Sequence, residues 1–337
     1  MELTLHHAFS EISAASWNQL AAVGISDTPF ARHEYLSQWW DTRGGGEWGE
    51  AELVLLSASE AGQLIGIAPL FTATHESHKE ILLVGSIEIS DYLDLIVRQA
   101  DLARFVPAIL DYLDASPTLH GVPLDWYNIP DSSPTLDALA LEAGKRRWSF
   151  ETQAYLPTPR VTLAGGFEAF LASLDKKQRH EIRRKLRRAA EGPAPAQFRL
   201  LDSAADLESG IDAFFQLMAH DVNKQQFLKP AMREHMRSVI GRAFENGYLW
   251  LAFLTVGKVN AAAALNFDYK NKLWGYNSGV SPDFMELSPG WVLLAHQIQW
   301  ASEHGRSEFD FMRGDEDYKY RFGAVNRFVM RVRVSPS

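Results

Sequence analysis

Along this chain the apolar positions switch between a period of two and a period near 3.6, and the switches predict alternating short strands and amphipathic helices. In the first half, residues 2–7 alternate as a strand, and residues 13–23 and 31–42 carry helical spacing. The second of these helices gathers Tyr35, Leu36, Trp39 and Trp40 on one face and ends at Gly44-Gly45-Gly46. Residues 53–57 and 64–71 read as a hairpin around Glu60-Ala61-Gly62, followed by strands at 80–84 and 92–97. A helix at 101–113, a strand at 123–127, a helix at 133–144 and a strand at 148–153 complete this half. The pattern loosens over 156–162, where Pro157 and Pro159 bracket a crossing. Helices at 166–174 and 176–190 follow, the latter stopped by Gly192-Pro193-Ala194-Pro195. Then come a strand at 198–201, helices at 204–219 and 230–245, and a hairpin of 249–256 with 259–267. Strands at 273–278 and 308–312 flank a helix at 291–304, and 328–334 is a final strand.

The two halves run in the same order. LVLLSASEAGQLIGIAPLF (53–71) aligns by hydropathy and turn position with LWLAFLTVGKVNAAAALNF (249–267), although few residues are identical. The pattern predicts a duplicated α/β unit with mixed sheets, residues 1–157 and 158–337, and a ligand in the cleft between the copies.

Composition narrows the function. At 337 residues, 46% hydrophobic and 22% charged, the chain is an ordinary globular one long enough for two cores. No apolar run is long enough to cross a bilayer and the first residues lack a leader pattern, which together predict a cytoplasmic protein. The absence of cysteine excludes disulfides, a thiolate nucleophile and thiolate zinc sites, and no histidine spacing predicts a metal; His75 and His78 read as solvated loop residues. The net charge of −9 argues against general nucleic-acid binding, DNA included, yet residues 175–191 hold eight Lys/Arg against three acids, a local +5 that leaves −14 elsewhere. A basic helix in an acidic chain suits a phosphate-bearing ligand, an RNA backbone or a membrane surface, through Arg183, Arg184 and Arg187; it equally suits a solvated face paired with the chain's own acids.

Four stretches carry candidate chemistry. DFMRGDEDYKYRFG (310–323) packs Arg313, Asp315, Glu316, Asp317, Tyr318 and Lys319 directly after a strand, where α/β sheets open to ligands. Asp315 with Lys319 and Asp317 with Arg321 also fit i, i+4 pairs on a surface turn of helix. Ser288-Pro289-Gly290 begins a helix with a suitable N-cap and a glycine that permits close backbone approach by an anion; ordinary capping accounts for the Ser-Pro start as well. In the first half the equivalent position, 98–101, has no glycine and puts Asp101 at the helix start, which repels an anion. The polar strand Gly275-Tyr276-Asn277-Ser278-Gly279 offers backbone groups to a ligand or marks an edge or bulge, and Ser90-Asp91-Tyr92-Leu93-Asp94 offers two carboxylates to an amine or hydroxyl acceptor or forms a turn.

Taken together, DFMRGDEDYKYRFG, the SPGW helix start, the SDYLD turn and the LDKKQRHEIRRKLRR helix resemble the CelD-type acetyltransferases of the GNAT superfamily found in polysaccharide loci, relatives of the Fem aminoacyltransferases. The resemblance implies two GNAT-like domains in tandem, the first with a degenerate donor site, and acyl transfer from acyl-coenzyme A to an amine or hydroxyl of a sugar or cell-envelope precursor. It implies a donor held between the strand ending at Tyr276, Asn277 and Gly279 and the strand before Arg313, with phosphates against Ser288, Pro289 and Gly290; Pro289 departs from the usual glycine-rich loop and supplies no amide. Lys319 matches the late lysine of the Fem group. Under the resemblance Lys319 and Arg313 offset charge, Asp315 takes the acceptor's proton, Tyr318 protonates the leaving group, and Asp91, Tyr92 and Asp94 hold the acceptor. A Fem-like enzyme using aminoacyl-tRNA on a peptidoglycan-type precursor is the alternative, and a non-catalytic binding protein on the same scaffold is a second.

Overall fold

In the computed structural model, which describes residues 1–191 and 194–336, the chain forms two compact units, one of residues 1–157 with 328–337 and one of residues 158–327. The expected stop at Gly192-Pro193 lies outside the described residues.

The first unit contains β1 (Glu2–His6), α1 (Ala14–Ala21), α2 (His33–Gly46), β2 (Ala51–Glu60), β3 (Gln63–His75), β4 (His78–Leu83), β5 (Ile96–Val97), α3 (Gln99–Ala115), β6 (Leu124–Pro130), α4 (Thr135–Arg146) and β7 (Ser149–Pro157). The second contains β8 (Arg160–Thr162), α5 (Gly166–Ser173), α6 (Lys176–Glu191), β9 (Ala196–Leu200), α7 (Leu207–Met218), α8 (Val222–Phe227), α9 (Pro230–Glu245), β10 (Leu249–Val256), β11 (Val259–Tyr269), β12 (Lys272–Val280), α10 (Pro289–Glu303), β13 (Glu308–Asp310) and α11 (Asp317–Arg321). Finally β14 (Phe328–Ser335) returns to the first sheet, between β6 and β7, instead of closing the second unit. Nothing in its alternating apolar pattern specifies a sheet, because the same inward face suits either one.

The first sheet runs β1-β2-β3-β4-β6-β14-β7, the second β8-β13-β12-β11-β10-β9. Each has one parallel pair, β4 with β6 and β12 with β13, and all other pairings are antiparallel. An antiparallel hairpin followed by a helical crossover to a parallel neighbour is therefore the repeated module, as the matched sequence segments predict. The expected strand at 92–97 shrinks to β5, because residues 91–97 are all buried and the chain there is a loop rather than a half-exposed strand.

Helix α10 fills one face of the second sheet. Val292, Leu293, Ala295 and Ile298 lie against Trp250, Ala252, Leu254 and Ala264, and the Trp250 indole is buried to 1%. Complete burial of side chains this size contributes about 1.5–3 kcal/mol each, and together they fix where the helix starts. On the other face Gly279 admits α7: a Cβ there would collide with the Met218 amide and with Leu217. Gly279 thus packs closely against a helix, and its sequence signal was that of any strand glycine.

Candidate functional site

The parallel pair of the second sheet comes apart. Lys272, Leu273 and Trp274 pair with Glu308, Phe309 and Asp310, after which β13 ends while β12 runs on to Val280 with β11 as its strand neighbour. The β12–β11 register slips between Leu265/Asn277 and Asn266/Gly275, so Tyr276 is the extra residue of a bulge at the point of divergence. Gly275 lets the strands meet closely before they part, since a Cβ on it would sit 3.2 Å from the Phe309 ring and 3.3 Å from the Asp310 carbonyl. The result is a wedge with one wall of strand edge.

Its other wall is the turn after β13. Asp310, fully buried, accepts a 2.8 Å hydrogen bond from the Met312 amide and faces Arg160, whose Nη2 is 3.7 Å away. Met312 and Gly314 take φ of +60° and +111°, which turns the carbonyls of 312–314 inward. Lys319 meets them. Its ammonium, 2% exposed, donates to Met312 O at 3.3 Å, Arg313 O at 2.9 Å and Gly314 O at 3.1 Å, and pairs with Glu316 at 2.9 Å. The lysine expected to face a substrate instead pins the turn, and its acidic partner lies three residues back rather than at Asp315. Asp315 is exposed and Arg313 half-buried on the same turn. Tyr318 is 42% exposed, yet burial, and after it the Glu316 carboxylate, push its hydroxyl up to about 12, so it keeps its proton at neutral pH.

At the far end of the wedge strand, α10 begins at Ser288, which adopts a left-handed conformation (φ +52°) and makes no side-chain cap. The serine therefore does not satisfy the helix start as expected. Pro289 has no N–H, which leaves the Gly290 and Trp291 amides at the positive end of a 15-residue helix. The Lys185 ammonium lies 4.0 Å from the Trp291 ring centre and brings a cation to the same turn. These residues fit a phosphate-bearing donor.

Lys185 belongs to the basic helix α6, whose Ile182 and Ala189 are buried in the core. Arg183 pairs with Glu168 and Arg184 with Glu181, so two of the three arginines expected to touch phosphate are held by the chain's own acids. Arg187 and Arg188 are exposed and have no ion-pair partner among the described residues.

In the first unit the corresponding wedge is full. β4 meets β6 at a single pair, Ile81 with Leu124, and residues 84–94 occupy the space beyond it. The Asn128 side-chain amide donates to Ile87 O and Ser90 O at 2.8 Å each, Leu93 N donates to Asn128 O, Trp48 Nε1 to Ser86 O and the Tyr35 hydroxyl to Ile89 O. Asp94 is not offered to an acceptor: it takes hydrogen bonds from Ser133 Oγ at 2.5 Å, Thr135 Oγ1 at 2.6 Å and the Leu95 amide at 2.8 Å. Burial nevertheless outweighs these donors and raises its carboxyl to about 6. Tyr92 is 3% exposed and packs near Phe30, and Asp91 is buried beside it. At the start of α3, Asp101 pairs with Arg98 and Arg104, an arrangement that fills the anion position with a carboxylate.

His75 is not a solvated loop residue. Its ring, Glu80 and Asp125 bring ligand atoms within 4.8 Å of one another. Arg331 donates to Asp125 at 2.5 and 2.9 Å, and Arg333 to Glu80 at 2.8 Å, so guanidinium groups already neutralise the carboxylates and the cluster is a cross-strand ion network. Among the described residues no helix is long and apolar enough to cross a membrane.

One residue at the wedge strand escaped the sequence reading. Lys224 on α8 donates from Nζ to Ser278 O at 2.6 Å, on the wedge strand. The segment VNKQQF has no apolar periodicity and gave no element; the available signal was Asp221 before it, whose carboxylate caps the Asn223 and Lys224 amides.

Residues 176–320 match the family model described as an acetyltransferase (GNAT) domain. A search of curated proteins finds no match. Among solved structures the chain is similar to FemX, with a TM-score of 0.67 at 10% identity over 98% of this chain and 97% of that one. It is also similar to the C-terminal domain of a putative lysylphosphatidylglycerol synthetase from Agrobacterium fabrum, with a TM-score of 0.59 at 12% identity over 98% and 93% of the two chains. A tandem GNAT protein from the clavulanic acid biosynthesis pathway matches at a TM-score of 0.50 and 12% identity, over 98% and 97%. The fold is a tandem pair of GNAT-like units, and the matched domain contains the open wedge.

Proposed function

We propose that this chain is an acyltransferase that moves an acyl group from a thioester, acyl-coenzyme A, to an amine or hydroxyl of a sugar or envelope precursor. The observation that carries the reading is the divergence of β12 from β13 after Trp274 and Asp310, ahead of the uncapped start of α10. A strand edge without a neighbour can align an extended donor arm, while helix amides receive its phosphates.

In this reading the Gly290 and Trp291 amides, with Lys185, hold the diphosphate, and backbone amides at the Tyr276 bulge and Asn277 meet the acyl oxygen. The acceptor's lone pair forms a bond to the acyl carbon and the carbonyl pair moves to oxygen; re-forming the carbonyl then breaks the carbon–sulfur bond. Asp315 receives the acceptor's proton, and Tyr318, which holds its proton at neutral pH, gives one to the departing thiolate. Lys319 acts as a positioning residue that keeps the 312–316 turn in place, with Arg313 on its rim.

Acetyl-coenzyme A and a panel of longer thioesters should raise the melting temperature, because a ligand at 100 times its Kd stabilises the folded state by about 2.7 kcal/mol. No shift with any thioester would overturn the proposal. A shift with aminoacyl-tRNA alone, steeply weakened by salt, would replace it with the Fem-like alternative.

A further inference from the structure

We infer that Lys224 is a catalytic residue of the open wedge, an ammonium that donates to the acyl oxygen on which negative charge develops; the inference rests on the acyl-transfer reading above.

The first support is direction. In an antiparallel ladder the N–H and C=O of one residue point to the same side. Ser278 stands opposite Ala264 of β11, yet its N–H goes to Asn277 Oδ1 at 2.8 Å and its carbonyl to Lys224 Nζ at 2.6 Å. The Ser278 peptide edge is therefore turned toward the side that β13 has left, and Lys224 reaches into the wedge to meet it. Charge gives the second support. The groups whose charges act on Lys224 are Asp221, at the start of its own helix, and Glu316, on the turn that forms the opposite wall.

Spare capacity gives the third. Lys319 is saturated by three carbonyls and Glu316 and is 2% exposed, so it has no N–H to offer a substrate. Lys224 uses one N–H of three on Ser278, and no further acceptor meets it among the described residues. Burial lowers its pKa, with Asp221 and then Glu316 opposing that shift. A partly desolvated, incompletely bonded cation interacts more strongly with a nascent oxyanion than a fully solvated one does. In the step itself Lys224 transfers no proton. It hydrogen-bonds the oxyanion while the acceptor–carbon bond forms, and it is released when the carbonyl re-forms and the thiolate leaves.

Two measurements on the full chain test this. In the first, trace acetic anhydride labels the lysines from pH 6 to 10 and peptide masses report each one's reactivity. Lys224 should titrate below the exposed Lys176 and Lys177, and the thioester that gives a melting shift should protect Lys224 and leave those two unchanged. In the second, thiol release is followed with that thioester and an amino-sugar acceptor panel. Lys224→Met should lower kcat by roughly 10²-fold with little change in donor KM, as loss of one oxyanion donor does. Lys224→Arg should retain part of the rate and lose the basic limb of the wild-type pH profile, because the guanidinium stays charged. An active wild type whose Lys224 is unprotected, or whose Lys224→Met variant turns over within threefold of it, overturns the inference and leaves the proposed reaction standing. A wild type that releases no thiol with any pair removes both.

Discussion

The two units share one strand order and differ in what stands between their parallel strands. In the second, β12 and β13 part around a bulge and glycine, and the side chains at the rim are Lys224, Glu316 and Tyr318. In the first, residues 84–94 fill the equivalent space and are fastened by Tyr35, Trp48 and Asn128. Duplication supplied two wedges. One keeps polar groups with unused donors, and the other uses its polar groups to bind its own loop. What distinguishes a site from a core here is which hydrogen bonds are already made.

The sharpest way to break that contrast is Lys319→Ala. It leaves three inward carbonyls and Glu316 without their cation, at a cost of about 4 kcal/mol, and should abolish transfer along with the turn. Urea unfolding and thiol release should fall together; a variant of wild-type stability would show that the turn holds itself. Next, Asn128→Ala removes two donors from the filled wedge and sits at φ +64°, and should cost about 3 kcal/mol. Hydrogen exchange in 84–94 should accelerate while the thioester melting shift stays as it was.

Asp94 supplies a pH test of the same loop. Its folded pKa of about 6 exceeds the ordinary 3.8, so the folded chain binds the proton more tightly. The associated stability is fully present below about pH 3.8 and is lost as pH rises through about 6. Asp94→Asn should therefore match the wild type near pH 4 and exceed it at pH 7 by roughly 2–3 kcal/mol, read from urea midpoints. Parallel pH profiles would show that its three donors offset burial completely. The smallest effect belongs to Arg183→Ala, an exposed pair with Glu168 worth about 0.5 kcal/mol. If an RNA donor binds α6, the salt slope should respond to Arg187→Ala and Arg188→Ala more than to Arg183→Ala.

Most elements were legible because their periodicity was strong: α9 begins and ends where Pro230 and the apolar spacing place it, and the paired hairpins of 53–71 and 249–267 revealed the duplication. The misreadings have physical reasons. Residues 92–97 look like a strand because every one is buried, but burial there comes from plugging a wedge. Lys319 read as a charge facing a substrate, since the carbonyls that surround it belong to the backbone and leave no mark on residue types. Lys224 was invisible because its partner, the Ser278 carbonyl, lies 54 positions away. The Asp310 turn, the Tyr276 bulge and the start of α10 were legible as places, and less so as individual contacts.

The placement of β14 also has a consequence for synthesis. The ribosome completes β6 and β7 long before it makes the strand that lies between them, and the whole of 158–327 emerges in the interval. At common elongation rates that leaves the first sheet with an unfilled slot for roughly ten to thirty seconds. The inserted unit can settle as it emerges, whereas the host sheet closes only when residues 328–335 arrive.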